Sequence, residues 1–371
     1  MEELIRIKYI SRFAYGNSLL KEDTPTASVK AYGSNGPYAL TDEPNTLSPV
    51  IIVGRKGSYG KINWSSEPCF ASDTTFFIDS RFTAHNLRWL YYGLQTLGLD
   101  QGSNEAAIPG LNRETAYNYK LPLLSLDQEY IISDYLDNEL SKIDLLIATK
   151  EKLISLLSKK KQEIIIHTVT KGLNPRVNFK KSSIEWLDEI PKHWELKKVK
   201  YITELQSGDF IPSELIRDED LYPVFGGNGL RGYTHEKNRS GEFVLIGRQG
   251  ALCGNINYAD GEFWATEHAI VCSPIQKYDT IWLGELLRIM NLNQYSIAAA
   301  QPGLSVDVIK NLLIPVPDFY EQQKIVEYLK EETTKIDKIS EATQKSINLL
   351  RERREALISS AVTGQIEIIT S

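Results

Sequence analysis

Two kinds of hydrophobic pattern follow one another along the chain, and the pair of patterns then occurs a second time. Short apolar, β-branched runs such as Val50 to Val53, Thr75 to Ile78 and Glu242 to Ile246 lie between Gly-rich and aromatic turns, and this predicts short strands. Apolar helical spacing over Asn86 to Leu97 and Ile281 to Asn291 predicts helices packed on the resulting sheets. After Leu121-Pro122 and after Ile314-Pro315-Val316-Pro317, Gly and Pro vanish for over forty residues, and each proline supplies a helix start. Alternating steps of four and three then select Leu136, Leu140, Ile143, Ile147, Lys150, Ile154, Leu157, Lys161 and Ile164, apolar at seven of nine positions. The later segment gives Leu329, Thr333, Ile336, Ser340, Thr343, Ile347, Leu350, Arg354 and Leu357, apolar at five of nine. Such seams need a partner, and the expected one is the other copy, packed antiparallel. At about 1.5 Å per residue, two helices of this length would act as a spacer between globular parts.

The doubling is visible residue by residue. Tyr32-Gly33-Ser34-Asn35-Gly36 answers to Phe225-Gly226-Gly227-Asn228-Gly229, an offset of 226 − 33 = 193. At the same offset, Val53-Gly54-Arg55-Lys56-Gly57 matches Ile246-Gly247-Arg248-Gln249-Gly250, and Pro109-Gly110-Leu111 matches Pro302-Gly303-Leu304. Tyr135-Leu136 and Tyr328-Leu329, Lys142-Ile143-Asp144 and Lys335-Ile336-Asp337, and Val169-Thr170 and Val362-Thr363 continue the series. A period this long makes the repeated unit a whole domain, with an approximate two-fold axis relating the copies. The fold class expected is α+β: two globular domains, mainly β with packed helices, joined by two long antiparallel coiled-coil helices.

Composition narrows the functional classes. The 371 residues carry 42 Lys+Arg and 48 Asp+Glu, a net −6, with 42% hydrophobic and 24% charged residues. Mean hydropathy is −0.28. This is globular composition and excludes wholesale disorder or a disulfide scaffold. The longest apolar runs fall far short of the roughly 18 residues a membrane span needs, and Met1-Glu2-Glu3 has no signal-peptide pattern, so a cytoplasmic location is expected. Cys69, Cys253 and Cys272 form no C-x-x-C pair and read as small buried hydrophobes; no metal site is expected.

Catalytic motifs fail on inspection. Gly227 to Gly232 fits G-x-G-x-x-G, but polar turn residues follow it where a dinucleotide site requires a helix. In Gly54 to Lys61 five residues separate the glycines, and Ile62 occupies the position where a phosphate-binding loop places Ser or Thr. Pro317-Asp318 with Glu321 and Lys324 reads as helix capping. The five His are scattered, with only His235 and His268 plausible neighbours, and no catalytic residue is assigned.

What recurs is a glycine-flanked basic turn. Gly54-Arg55-Lys56-Gly57, with Ser58, Tyr59 and Lys61, has the counterpart Gly247-Arg248-Gln249-Gly250. Glycine lets a backbone approach a ligand closely, and Arg, Lys and Gln pair with phosphates and purine edges. Between Val50 and Ser66 there are three basic residues and no acidic one, and from Lys171 to Lys200 eight basic oppose four acidic. Positive charge is therefore local in an acidic chain, so net acidity does not exclude nucleic acid. On the residues alone, hairpin ends and solvated lysines remain the alternative.

The residues resemble a known family, the specificity subunits of type I restriction-modification enzymes, over nearly the whole chain. The most specific parts are the junctions: Leu121-Pro-Leu-Leu-Ser-Leu-Asp-Gln-Glu with Tyr135-Leu-Asp and Lys142-Ile-Asp144, and Ile314-Pro-Val-Pro-Asp-Phe-Tyr-Glu-Gln-Gln with Lys335-Ile-Asp337. Each leads to a helix ending Val169-Thr-Lys-Gly172 or Val362-Thr-Gly364. Ser183-Ile-Glu-Trp-Leu-Asp-Glu-Ile-Pro-Lys-His-Trp194 looks like the family's introduction to a target-recognition domain. It has no counterpart in the first copy, whose opening residues answer to the region of Lys198, so a shorter amino terminus than in many relatives is expected.

The resemblance implies target-recognition domains at 1–123 and 198–316, helical spacers at 124–172 and 317–364, a linker at 173–197 and a tail at 365–371. It implies a non-catalytic subunit in which each domain reads one half of a split double-stranded DNA target. The helices would set the spacer length and dock two adenine-methylating modification subunits. S-adenosylmethionine would be bound by those subunits, not by this chain, and cleavage would belong to a restriction motor-nuclease subunit where one exists. The DNA-contacting candidates are Asn35, Arg55, Lys56, Ser58, Tyr59, Lys61, Asn228, Arg231, Arg248 and Gln249. The helix-interface candidates are Leu136, Ile143, Ile147, Ile154, Leu157, Leu329, Ile336, Ile347, Leu350 and Leu357. Unlike turns predict unlike half-sites, with Gln249 suited to adenine and either Arg to guanine. The competing readings are a pure coiled-coil interaction scaffold and a stand-alone DNA methyltransferase or nuclease with an unrecognised site.

Overall fold

The computed structural model describes residues 3–19, 27–101, 110–250, 252–296, 303–366 and 368. Pro109, Pro302, Ala251 and most of the tail beyond Ile366 lie outside the described residues. The chain divides into two compact units, Met1–Lys152 with Thr343–Ser371, and Leu153–Ala342. Each holds one β-rich module and part of each long helix.

In the first module the central strand Val50–Gly54 is buried on both faces. It pairs antiparallel with Ile62–Ser65 on one side and with Thr75–Ile78 on the other, and Ala14–Tyr15 completes the sheet. Alternation explains why the whole Val-Ile-Ile-Val run is apolar. Ile51, Val53, Phe76 and Ile78 face a core that holds Trp89, Leu90 and Leu94. Val50, Ile52 and Phe77 point the other way, toward Tyr32, Cys69 and Ala71. Tyr32 and Ala71 belong to a smaller sheet of Gly36–Thr41, Val29–Gly33 and Phe70–Ala71, the last two parallel. The core helix Leu87–Gln95 begins where the Asn86 side chain accepts from Trp89 N–H, capping it.

The second module repeats this plan. Its four-stranded sheet is Thr203–Ser207, Ala269–Pro274, Phe243–Gly247 and Ile256–Ala259, in that order. The companion sheet again has one parallel pair, Tyr222–Gly226 with Glu262–Ala265, and gains a short edge strand, Arg239–Ser240. Trp282 and Leu283 take the places of Trp89 and Leu90. The offset is not uniform. Gly54 and Gly247 differ by 193, whereas Gly16 and Gly208 differ by 208 − 16 = 192, and Gly60 and Gly254 by 254 − 60 = 194. Single-residue differences in loops account for both slips, and apart from that edge strand the strand pairing is the same in both modules.

The stretch 173–197 is more than a linker. Phe179–Ile184 and Leu187–Pro191 form a hairpin, and Ile184, Leu187, Ile190 and Trp194 are buried in the core of the second module. The polar alternation Phe-Lys-Lys-Ser-Ser-Ile hides this strand because only one of its faces is covered. Glu195–Lys198 then pairs with Leu313–Val316, as Leu4–Arg6 pairs with Lys120–Pro122 in the first module.

The two long helices are Leu126–Lys171 and Phe319–Val362. The first opens with a capping box, in which Ser125 Oγ accepts from Gln128 N–H and Gln128 Oε1 accepts from Ser125 N–H. Asp318 caps the second by accepting from Glu321 N–H at 2.8 Å. All eighteen positions selected by the four-three spacing are buried or half-buried, Ile154, Leu157, Leu350 and Leu357 among the half-buried. Leu145 at 70% and Leu156 at 53% exposure, off the spacing, face solvent.

Within the first unit Leu140 and Ile143 share a core with Ile358, Ala361 and Val362. Arg354 there meets Asp144 at 3.0 Å, and Arg351 meets Glu151 at 2.8 Å. Rising numbers on one helix meet falling numbers on the other, as antiparallel packing requires. Within the second unit Lys161 meets Asp337 at 2.7 Å. Asp144 with Arg354 and Asp337 with Lys161 are the same pair under the 193 offset, with Arg and Lys exchanged.

Each module grips its helix at one buried point. Glu129, fully buried, accepts Asn86 N–H at 2.7 Å, and its other oxygen lies 2.5 Å from His85 Nδ1. At the equivalent place Gln322 Oε1 accepts Asp279 N–H at 2.9 Å, and the amide end donates to Pro317 O. Tyr92 adds a hydrogen bond to Asp137, and burial with that carboxylate pushes its phenol pKa up.

Candidate nucleic-acid interface

The recurrent basic turns are hairpin tips built on one hydrogen-bonded frame. Gly54 N–H donates to Lys61 O and Gly60 N–H to Gly54 O, both at 2.8 Å. Gly247 N–H donates to Asn255 O at 2.8 Å and Gly254 N–H to Gly247 O at 2.7 Å. The glycines divide the work. A Cβ on Gly54 would lie 2.4 Å from Ser58 O, and one on Gly247 2.3 Å from Gly227 O, so these positions exclude any side chain. Gly57 and Gly250 sit at φ +72° and +89°, in the left-handed region that favours glycine, and a Cβ on either would meet nothing within 4 Å. The tip backbone there is open to a ligand.

A second turn is tied to each tip. Lys61 Nζ donates to Asn35 O at 3.0 Å and to Asn35 Oδ1 at 2.7 Å. In the second module Asn255 Nδ2 donates to Asn228 Oδ1 at 3.2 Å. The tip strand beyond each turn is also bridged to a later segment, Lys56 to Gly110 and Gln249 to Gly303. Three separated pieces of chain therefore converge in each module, as the shared offset suggests.

The side chains on these frames differ. Arg55 lies 4.9 Å from the Tyr15 ring and donates to Asp73 O at 3.3 Å. Arg248 instead donates to Ser207 Oγ at 3.2 Å. Lys56, Ser58 and Gln249 are exposed, as are Asn35 and Asn228. Tyr59 is half-buried and packs on the main core, so it serves the hairpin more than its outer surface. Arg231, exposed, folds over Gly226, where a Cβ would meet its Cδ at 2.5 Å.

Other candidates are accounted for by local contacts. His235 lies 3.6 Å from Asp220 and His268 3.2 Å from Glu267, so each has its own carboxylate neighbour. Four of the seven lysines of 171–200 are held in structure: Lys171 by Glu189, Lys180 by Trp194 O, Lys197 by Glu195 and Lys200 by Asn311. All three cysteines are free and buried. Among the described residues no group of three or more His, Cys, Asp or Glu could hold a metal ion, and no helix is long and apolar enough to cross a membrane.

One basic residue carries no motif in the sequence. Arg113 also lies 4.9 Å from the Tyr15 ring, and with Arg55, Lys56, Phe76 and Asn112 it lines a recess of about 140 Å³. Its only sequence signal is proximity to Gly110, the bridged partner of Lys56.

The architecture defines a class: a duplicated protein in which each copy presents the same loop platform beside an antiparallel pair of long helices. Residues 191–349 match the family model described as the type I restriction modification DNA specificity domain. The chain is 43% identical over 147 residues to the type I restriction enzyme EcoprrI specificity subunit of Escherichia coli, a match covering 38% of this chain and 37% of that protein. It is 26% identical over 348 residues to the MjaVIII specificity subunit of Methanocaldococcus jannaschii, covering 86% of this chain and 76% of that one. In fold it is similar to the HsdS subunit of Thermoanaerobacter tengcongensis, at TM-score 0.56 and 15% identity over 98% and 97% of the two chains. A chain from a structural study of type I R-M complex assembly and conformational transition superposes at TM-score 0.73 and 14% identity over 98% of both. Over most of its length the chain is thus similar to type I restriction-modification specificity subunits.

Proposed function

We propose that this chain is the non-catalytic DNA-reading subunit of a type I restriction-modification complex, each module reading one half of a bipartite double-stranded target. The observation that carries this reading is the repeated tip: one hydrogen-bonded frame, open at Gly57 and Gly250, bearing Arg55-Lys56 in one copy and Arg248-Gln249 in the other. A shared frame with exchanged side chains is what two readers of unlike sequences require. Gln249 has the chemistry for a bidentate contact to adenine, and Arg55 or Arg248 for one to guanine.

The helix pair fixes the separation of the half-sites, and its outer face docks two modification subunits. Exposed Leu145, Leu146, Leu153 and Leu156 along the first helix support that docking, because solvated leucines off the seam offer apolar surface to a partner. Adenine methylation with S-adenosylmethionine, and cleavage where a motor-nuclease subunit exists, reside in those partners, in the cytoplasm.

The test is a footprint of the full chain with its modification subunit on duplexes selected from a random pool. Arg55→Ala is expected to relax one half-site only and Arg248→Ala the other. Footprints of both variants identical to the parent would remove the tips from base reading. Methyl transfer by the chain alone would instead favour a stand-alone methyltransferase.

A further inference from the structure

We infer that the first module carries a preformed clamp for a DNA backbone phosphate, made by Lys56 and Arg113 around Tyr15 with Arg55 at its edge, and that the second module lacks it. The inference rests on the DNA reading above and adds what the unequal charges do.

Arg55 and Arg113 both lie 4.9 Å from the Tyr15 ring, and Arg113 is 5.8 Å from the Tyr117 ring as well. Stacking on aromatic rings holds a guanidinium in one orientation and reduces the entropy lost when an anion is bound. Among the described residues no carboxylate lies within 4.0 Å of Arg55, Lys56 or Arg113, although the chain as a whole is acidic. Three cations therefore share a recess of about 140 Å³ without a counter-ion from these residues. Arg113 Nε is buried and without a hydrogen-bond partner, so a donor beside the recess stands unsatisfied. A phosphodiester oxygen satisfies such donors, and a base edge fits less well because the recess is walled by Phe76 and Leu111.

In the second module the same frame carries Ser207 for Tyr15, Gln249 for Lys56 and Val306 for Arg113. Only Arg248 remains charged, and it is turned to Ser207 Oγ. The first module thus anchors and the second mainly reads.

The experiment measures affinity of the full chain for a random-sequence duplex, and for duplexes selected from a pool by the parent, over a range of salt concentrations. Arg113→Ala is expected to weaken binding to both by the same factor and to make the slope of log affinity against log salt shallower by about 0.9, the value for one lost phosphate contact. Arg113→Lys, which keeps the charge, is expected to restore the slope, separating loss of an ion contact from damage to the fold. An unchanged slope in Arg113→Ala, or a loss confined to the selected duplexes, would overturn the clamp and leave DNA reading intact. No binding of any duplex by the parent would overturn the DNA reading itself, and the clamp with it.

Discussion

The two modules share their strand order and the hydrogen bonds that shape their tips, yet several of the side chains placed on that frame differ. Lys61 holding Asn35 becomes Asn255 holding Asn228, and Tyr15 with Arg55 becomes Ser207 with Arg248. What persists is what the backbone needs. Gly54 and Gly247 admit no side chain, whereas Lys56 and Gln249 reach solvent and are free to diverge. Duplication preserved the platform and left the surface to specialise.

The largest test of this equivalence lies in the cores. Trp89 and Trp282 are fully buried at equivalent sites, so replacing either with Ala should cost about 3–5 kcal/mol. If the modules fold as separate units, calorimetry should show Trp89→Ala lowering one transition and Trp282→Ala another; one shared transition lowered by both would fuse them into a single cooperative body.

A smaller effect separates the modules by pH. Asp79 is buried, and burial alone raises its pKa, but hydrogen bonds from the Arg81 side chain and from Leu47 and Arg81 N–H outweigh this and hold the carboxyl below the usual range. A depressed carboxyl stabilises the fold above its unfolded value near pH ~3.9 and loses that contribution as pH falls through the folded value. Its counterpart is Ser273, which cannot titrate. Acidification below that point should lower the first module's transition more than the second's. Asp79→Asn should remove the difference at a cost of about 1.5–3 kcal/mol at neutral pH.

The smallest effect is at the tips. Lys56→Gln should make the salt slope of DNA binding shallower by about 0.9 and Gln249→Lys steeper by the same amount. Exchanging both at once should leave the slope near the parent's while changing the selected sequence. A selected sequence that did not change would mean these positions touch phosphates alone.

Much of the fold is legible in the residues, for identifiable reasons. The helix seam follows a strict four-three spacing, and the pattern stands out because no Gly or Pro interrupts it. Val50 to Val53 and Thr75 to Ile78 read as strands because burial on two faces makes them continuously apolar. The hairpin at 179–191 does not, since its exposed positions Lys181, Ser183, Glu185, Asp188 and Glu189 are polar and the stretch mimics a linker. Arg113 is hidden because it stands 113 − 55 = 58 residues from Arg55, and the bridge between Lys56 and Gly110 brings the two segments together. Tyr59 misleads for the opposite reason: its neighbours are exposed, but the hairpin turns its ring inward.

The compact unit formed by 153–342 is one uninterrupted stretch of chain, whereas the other closes only when Ile358, Ala361 and Val362 join Leu140 and Ile143. On a ribosome, which releases the chain from its beginning, the contact of Leu140 and Ile143 with Ile358, Ala361 and Val362 can form only once the last helix is made, whereas every residue of 153–342 is available earlier. Until then that end of the seam has one wall missing, and Leu140 and Ile143 lean on the first module's own core alone.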